Sequence, residues 1–144
     1  MVSVIEAGQL ATVVCALLEP DACKITFTSA GHLPPLLLSD GEARFLESEV
    51  GPPIGVDATA TYVARTIDAP ADATLIAYTD GLVELRGESL DRGLERLRNA
   101  AGGEDAELAE LLDRLVRELP PGSPQDDIAI VGVRWTAHPK TQAR

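Results

Sequence analysis

Thr74-Leu75-Ile76-Ala77-Tyr78-Thr79-Asp80-Gly81 is the stretch on which the fold turns. A nearly continuous apolar run reads as a strand buried on both faces, and the chain ends it with an acidic residue and a glycine. Before this stretch the hydrophobic period is two. After it the period changes to 3.6, so strands precede it and helices follow.

Working upstream, the apolar run from Leu10 to Leu18 predicts another strand buried on both faces. Glu19-Pro20-Asp21-Ala22 turns the chain, with Pro at a favoured turn position. Lys24 to Ala30 then alternates, with Ile25, Phe27 and Ser29 on one face and Thr26, Thr28 and Ala30 on the other, which predicts an antiparallel hairpin. Leu36 to Leu38 reads as a short strand, Asp40-Gly41 as a two-residue hairpin turn, and Ala43 to Glu47 as the return. Gly51-Pro52-Pro53-Ile54-Gly55 reads as a rigid loop without regular structure, and Thr61 to Asp68 as a further alternating strand.

Downstream, Asp91 to Ala101 and Ala106 to Leu119 read as helices. The second carries Leu108, Leu111, Leu112, Leu115 and Leu119 on one face, with Asp105 as N-cap and Pro120-Pro121-Gly122 as the stop. Ile128 to Trp135 closes the pattern as a buried strand, and the tail from Thr136 to Arg144 is expected to fray. Strands followed by helices and one last strand give an α+β class: a mostly antiparallel two-sheet β-sandwich flanked by helices.

The chain has 144 residues, 45% of them hydrophobic but only 3% aromatic, so a core of Leu, Val, Ile and Ala is expected. With 12 basic and 23 acidic residues the net charge is −11, and both halves are negative. No basic stripe is available for a nucleic acid or an anionic membrane, whereas the field suits divalent cations. Cys15 and Cys23 form no metal spacing, and across the expected hairpin Cys15 would face a position near Thr26 rather than Cys23. Both are expected to be reduced, packed thiols of a cytoplasmic protein. Neither a signal peptide nor an apolar run of membrane-spanning length is visible.

Nucleotide-binding loops, nucleophile elbows and zinc-protease motifs are missing. Ser29 and His32 are close in sequence, but no local third partner or oxyanion hole supports a nucleophilic pair. The acidic residues at strand ends differ. Asp80 stands where a buried strand stops, and Asp126 and Asp127 stand where a loop enters another. The spacing leaves two readings open. Asp80 makes an Asp-Gly turn and Asp127 caps a loop, or the carboxylates converge on a hard cation, Mg²⁺ or Mn²⁺.

Four segments occur in order: Ser29-Ala30-Gly31-His32-Leu33-Pro34-Pro35, Gly51-Pro52-Pro53-Ile54-Gly55, Leu75 to Glu84 and Gln125-Asp126-Asp127-Ile128. Together they closely resemble the SpoIIE-like, RsbU-like branch of the bacterial metal-dependent (PPM-type) serine/threonine protein phosphatases. The resemblance runs from about Ala11 to Arg134 and implies a β-sandwich with a two-metal Mn²⁺ or Mg²⁺ centre at one edge. It carries metal ligation onto Asp80 and Asp126, and less firmly onto Gly81 and Asp127. Ala30, Gly31, His32, Gly51 and Gly55 are then family marks that shape the sheet edge, with His32 packing and hydrogen bonding rather than catalysing. It also implies attack of an activated water on phosphorus with no covalent enzyme intermediate.

The two acidic motifs that open the family's domain do not occur, so residues 1–136 look like the C-terminal two thirds of that domain and 137–144 like a tail. The expected function is dephosphorylation of a phosphoserine or phosphothreonine regulator such as a STAS-type anti-anti-sigma protein, with little activity and poor metal binding by this chain alone. The alternatives are a non-catalytic binding or regulatory module of the same descent, and an unrelated β-domain. Missing strands would leave sheet edges uncovered and invite self-association.

Overall fold

The computed structural model describes residues 9–103, 106–119 and 127–136. The described elements are, in chain order, β1 (Val13–Glu19), β2 (Lys24–Ala30), β3 (Leu36–Ser39), β4 (Glu42–Phe45), β5 (Val50–Gly51), β6 (Arg65–Asp68), β7 (Ala73–Tyr78), α1 (Leu90–Ala101), α2 (Leu108–Glu118) and β8 (Ile130–Trp135). They form two four-stranded sheets.

In the first sheet β2 is the hub. It pairs antiparallel with β1 from Val13↔Ala30 to Glu19↔Lys24. Its other edge carries β6, antiparallel, and the short β5, parallel. A 3₁₀ turn over Pro20–Ala22, with Cys23 in the left-handed region, closes the β1–β2 hairpin. In the second sheet the order is β4-β3-β7-β8, every pairing antiparallel. The β3–β4 turn is the expected Asp40-Gly41 pair, with φ of 53° and 76°, the positive values that a turn matched to strand twist requires.

The sheets pack face to face through Ile25 and Phe27 of β2 against Leu37 and Leu75, joined by Leu46, Ala69 and Ala73. The other face of the second sheet presents Leu36, Ile76 and Tyr78 to Leu97 and Ala101 of α1 and to Leu111, Leu115 and Leu119 of α2 and its end. Each fully buried Leu or Ile here contributes roughly 1.5–3 kcal/mol over leaving it in water. The α+β sandwich with helices is therefore present, and its relation to known folds is given below.

Several local expectations change. The first strand begins at Val13 and is not buried on both faces; it is a sheet edge whose Leu17 is 59% exposed. An apolar run gives the same pattern whether or not both faces find cover. β8 pairs on one side only, and Val131 and Val133 stay exposed although register puts them on the inner face with Ala77 and Leu75. The strand expected over residues 61–68 contracts to β6, and the Gly-Pro-Pro loop contributes β5 and a bridge from Ile54 to Ala11. Cys15 pairs with Thr28 rather than lying near Thr26, and both cysteines are free but exposed rather than packed. The cap assigned to Asp105 and the tail 137–144 lie outside the described residues.

The close approach of α1 to the segment after β7 is set by Gly93, buried in the helix. A Cβ there would lie 2.0 Å from the Val83 carbonyl oxygen. Ala gains about 1 kcal/mol of helix propensity over Gly, but displacing a backbone carbonyl costs about 1–3 kcal/mol or more. Gly93→Ala is therefore expected to lower stability in denaturant unfolding, while Gly102→Ala, whose Cβ would meet nothing closer than 3.5 Å, is expected to be near neutral. A Gly93→Ala protein as stable as the parent would contradict this packing.

Candidate functional site

β7 is buried over most of its length and cannot carry a charge until it ends. The first residues past the strand are Thr79 and Asp80, and a 3₁₀ turn over Asp80–Leu82 follows. Its amides close back on Asp80, since Val83 and Glu84 both donate to the Asp80 carbonyl at 2.9 and 2.8 Å. Leu82 and Val83 are buried beneath the turn. The Asp80 side chain is thereby held at the exposed rim of the second sheet. Its Oδ1 accepts the Gly81 amide at 2.9 Å, and among the described residues its Oδ2 has no hydrogen-bond or ion-pair partner.

Thr79 joins this rim to the chain entering β8. Its amide donates to the Ala129 carbonyl at 2.9 Å, and its hydroxyl accepts the Ala129 amide at 2.8 Å. The same hydroxyl donates to the Asp127 carbonyl at 3.1 Å. The backbone of Asp127 is thus anchored one residue from Asp80, while Asp126 lies outside the described residues. Hydrophobic period gives no hint of this role for Thr79; a hydroxyl at the end of a buried strand is the only sequence signal.

The Ser29–Pro35 segment is held against the same strand end. The Tyr78 phenol donates to the Pro34 carbonyl at 2.9 Å, and burial pushes its pKa well above the ordinary 10.0. Gly31 has φ of 70°, and a Cβ there would lie 2.6 Å from Pro53 Cγ, so the two proline-rich segments meet where no side chain fits. Its amide donates to Gly51 at 2.8 Å, while Gly51 is covered by the Tyr62 ring and Gly55 by the Gln9 carbonyl. Ser29 is no nucleophile for His32. Its hydroxyl accepts the His32 amide and donates to the His32 carbonyl, a local turn. His32 Nδ1 lies 2.8 Å from the Leu33 carbonyl, an acceptor only, so Nδ1–H is the donor.

His32, Tyr78, Thr79 and Ala129 share the wall of an apolar cleft of about 380 Å³ between β1 and β8. A larger cleft of about 540 Å³ lies at the opposite strand ends, where Arg134 is tied to Thr74 Oγ1 and the Ala106 carbonyl. It does not include the Asp80 rim. Among the described residues no group of three or more His, Cys, Asp or Glu side chains is placed to hold a metal ion. Asp80 offers an oxygen donor of the right kind for Mn²⁺ or Mg²⁺, but one carboxylate does not hold such an ion firmly.

The two sheets and two helices match part of solved PP2C-type phosphatase domains. The Mn-presoaked phosphatase domain of SpoIIE from Bacillus subtilis matches with a TM-score of 0.67 at 21% identity, over 90% of this chain and 57% of that one. The structure of the RsbU and RsbW domains of Rv1364c from Mycobacterium tuberculosis matches with a TM-score of 0.65 at 27% identity, over 81% of this chain and 35% of that one. Protein IcfG of Synechocystis sp. is 25% identical over 133 residues, which are 89% of this chain and 21% of that protein. The family model of Stage II sporulation protein E (SpoIIE) matches residues 1–136, and the chain belongs to that family. It spans 57% of that SpoIIE phosphatase domain and 21% of Protein IcfG.

Two substitutions probe the rim. Thr79→Val removes the hydroxyl that clamps Asp127 and Ala129, and is expected to cost about 1–2 kcal/mol and to speed amide exchange at Ala129; Thr79→Ser should retain the clamp, and equal exchange in the Val and Ser variants would contradict it. The Tyr78 shift has a pH signature. The folded pKa is raised, so stability is intact below about pH 10 and falls as pH rises past the unfolded value of 10.0. Tyr78→Phe is expected to flatten that alkaline fall, read by denaturant unfolding between pH 9 and about 11.

Proposed function

We propose that this chain carries part of a metal-dependent protein serine/threonine phosphatase centre, with Asp80 and Asp126 as carboxylate ligands and Asp127 and Gly81 as lesser contributors. The observation that carries the reading is the Thr79 clamp, which ties the backbone beside Asp126 to the residue preceding Asp80. The family tie to PP2C-type domains and the Mn presoak of the SpoIIE relative support Mn²⁺ or Mg²⁺ as the cation. Bound there, a divalent pair would acidify a water and neutralise charge on the phosphoryl group. The chain's own residues would then do the positioning. Asp80 presents an oxygen fixed by the Gly81 amide, the Thr79 hydroxyl fixes the backbone of Asp127 and Ala129, and the Tyr78–Pro34 bond keeps the His32 segment at the cleft mouth.

The substrate class proposed is phosphoserine or phosphothreonine on a small regulatory protein of the anti-anti-sigma, STAS type, encountered in the cytoplasm. The RsbU and RsbW pairing in the mycobacterial relative supports it. No helix among the described residues is long and apolar enough to cross a membrane. Two or three carboxylates leave most of the coordination to water, so the 144-residue chain alone is expected to bind Mn²⁺ no more tightly than about millimolar and to turn over a phosphoserine peptide poorly. The shortage of described ligands also favours a second reading, a binding module of phosphatase descent.

Calorimetric Mn²⁺ titration and phosphate release from a phosphoserine peptide separate the readings. Weak binding and slow release, both lost in Asp80→Asn, support the phosphatase centre. Release untouched by Asp80→Asn would sink it, and no release at any Mn²⁺ concentration leaves the binding module.

A further inference from the structure

Residues 83–89 carry the chain from the Asp80 turn to α1, and Arg96 spans them. Long side chains on a helix lean back toward its N-terminus, and Arg96 reaches over the first turn of α1 to both ends of that segment. Its Nη1 donates to Glu88 Oε2 at 2.6 Å, and its Nη2 donates to the Val83 carbonyl at 3.3 Å. Gly93 stands three residues earlier on the same helix face, and its bare Cα lets the Val83 carbonyl approach the helix. Stability alone is a poor reason for a guanidinium here. The Arg96 side chain is only 27% exposed, and among the described residues its Nε is buried with no hydrogen-bond partner. A partly buried ion pair gains little over apolar side chains of similar size, and an orphaned donor subtracts from that gain.

The guanidinium instead acts on geometry. The Val83 amide, with that of Glu84, closes the turn on the Asp80 carbonyl. Val83 is thus held from both sides, its amide by Asp80 and its carbonyl by Arg96. The turn in its turn presents the Gly81 amide that fixes Asp80 Oδ1. We propose that Arg96 is a positioning residue for Asp80: by bridging Val83 and Glu88 it holds the turn that sets the carboxylate at the rim. Asp80 is a metal ligand only under the phosphatase reading, on which this role of Arg96 rests. Arg96 itself is spent on Glu88 and Val83 and acts through the turn. A guanidinium suits the task, because its donors are spread over a rigid fork that meets a carboxylate and a carbonyl at once.

Arg96→Met keeps the apolar stem and removes both bonds. Arg96→Lys keeps a charge opposite Glu88 but gathers its donors on one atom, so it cannot hold both points, and it decides the matter if the Met variant fails to fold. Arg98→Met, which loses an exposed cation of the same helix, controls for net charge. Without metal, amide exchange at Val83 and Glu84 should rise about tenfold in Arg96→Met and about threefold or more in Arg96→Lys, and not at all in Arg98→Met. Leu75 and Ile76 of β7, paired on both sides, should keep their rates. With Mn²⁺, broadening of the Gly81 amide per increment of ion should fall about tenfold in Arg96→Met. Unchanged exchange at Val83 and Glu84 overturns the proposal, as does a rise matched at Leu75 and Ile76, which makes Arg96 a stability residue. A loosened turn with undiminished broadening overturns it too. Absence of Gly81 broadening in the parent chain contradicts the phosphatase reading instead, and the exchange rates then decide on Arg96 alone.

Discussion

Burial of β7 on both faces is the constraint from which the rest follows. One face meets Leu37 and the β2 side chains, and the other meets the two helices. A strand so placed excludes ionisable groups along its length, because an unpaired charge there would cost several kcal/mol. Polar chemistry is pushed to its end, and Tyr78, Thr79 and Asp80 appear there in succession. Each has a distinct job: the phenol fixes the Pro34 loop, the hydroxyl fixes the entry to β8, and the carboxylate is left at the rim. Asp80 is the first position at which the strand can release a charge to solvent.

The sandwich is closed at one side and open at the other. Where β6 and β2 face β3 and β7, the interior is filled by Phe27, Ile25 and Leu75. Where β1 faces β8, Val14, Ala77 and Val131 line a cleft instead, and Val131 and Val133 remain in water on an inner face. That opening lies beside the Asp80 rim, since Thr79 and His32 share its wall. Among the described residues the helical side of the second sheet is filled and the cleft side is exposed.

Much of this was legible in the sequence where local chemistry and global packing agree. The Asp40-Gly41 turn was readable because its backbone demands positive φ, and α2 because five leucines share one face. β7 was readable because its apolar run does find cover on both sides. The same rule misled for β1 and β8, whose apolar runs are identical in kind but, among the described residues, find cover for only part of their faces; a sequence shows the demand for burial, not its supply. Asp80 followed from strand termination, whereas the Thr79 clamp joins positions 48 and 50 residues apart and is invisible to any local pattern. The Ser29–His32 proximity was a matter of local turn geometry rather than catalysis.

The proposed sharing of one ion by Asp80 and Asp126 is tested most directly by nuclear magnetic resonance with trace Mn²⁺, a paramagnetic ion that broadens the amide signals nearest to it. Broadening should centre jointly on Asp80–Gly81 and on Asp126–Asp127, and both foci should fade together in Asp80→Asn. Broadening at Asp127 that survives Asp80→Asn undiminished would show that the two carboxylates do not hold a common ion.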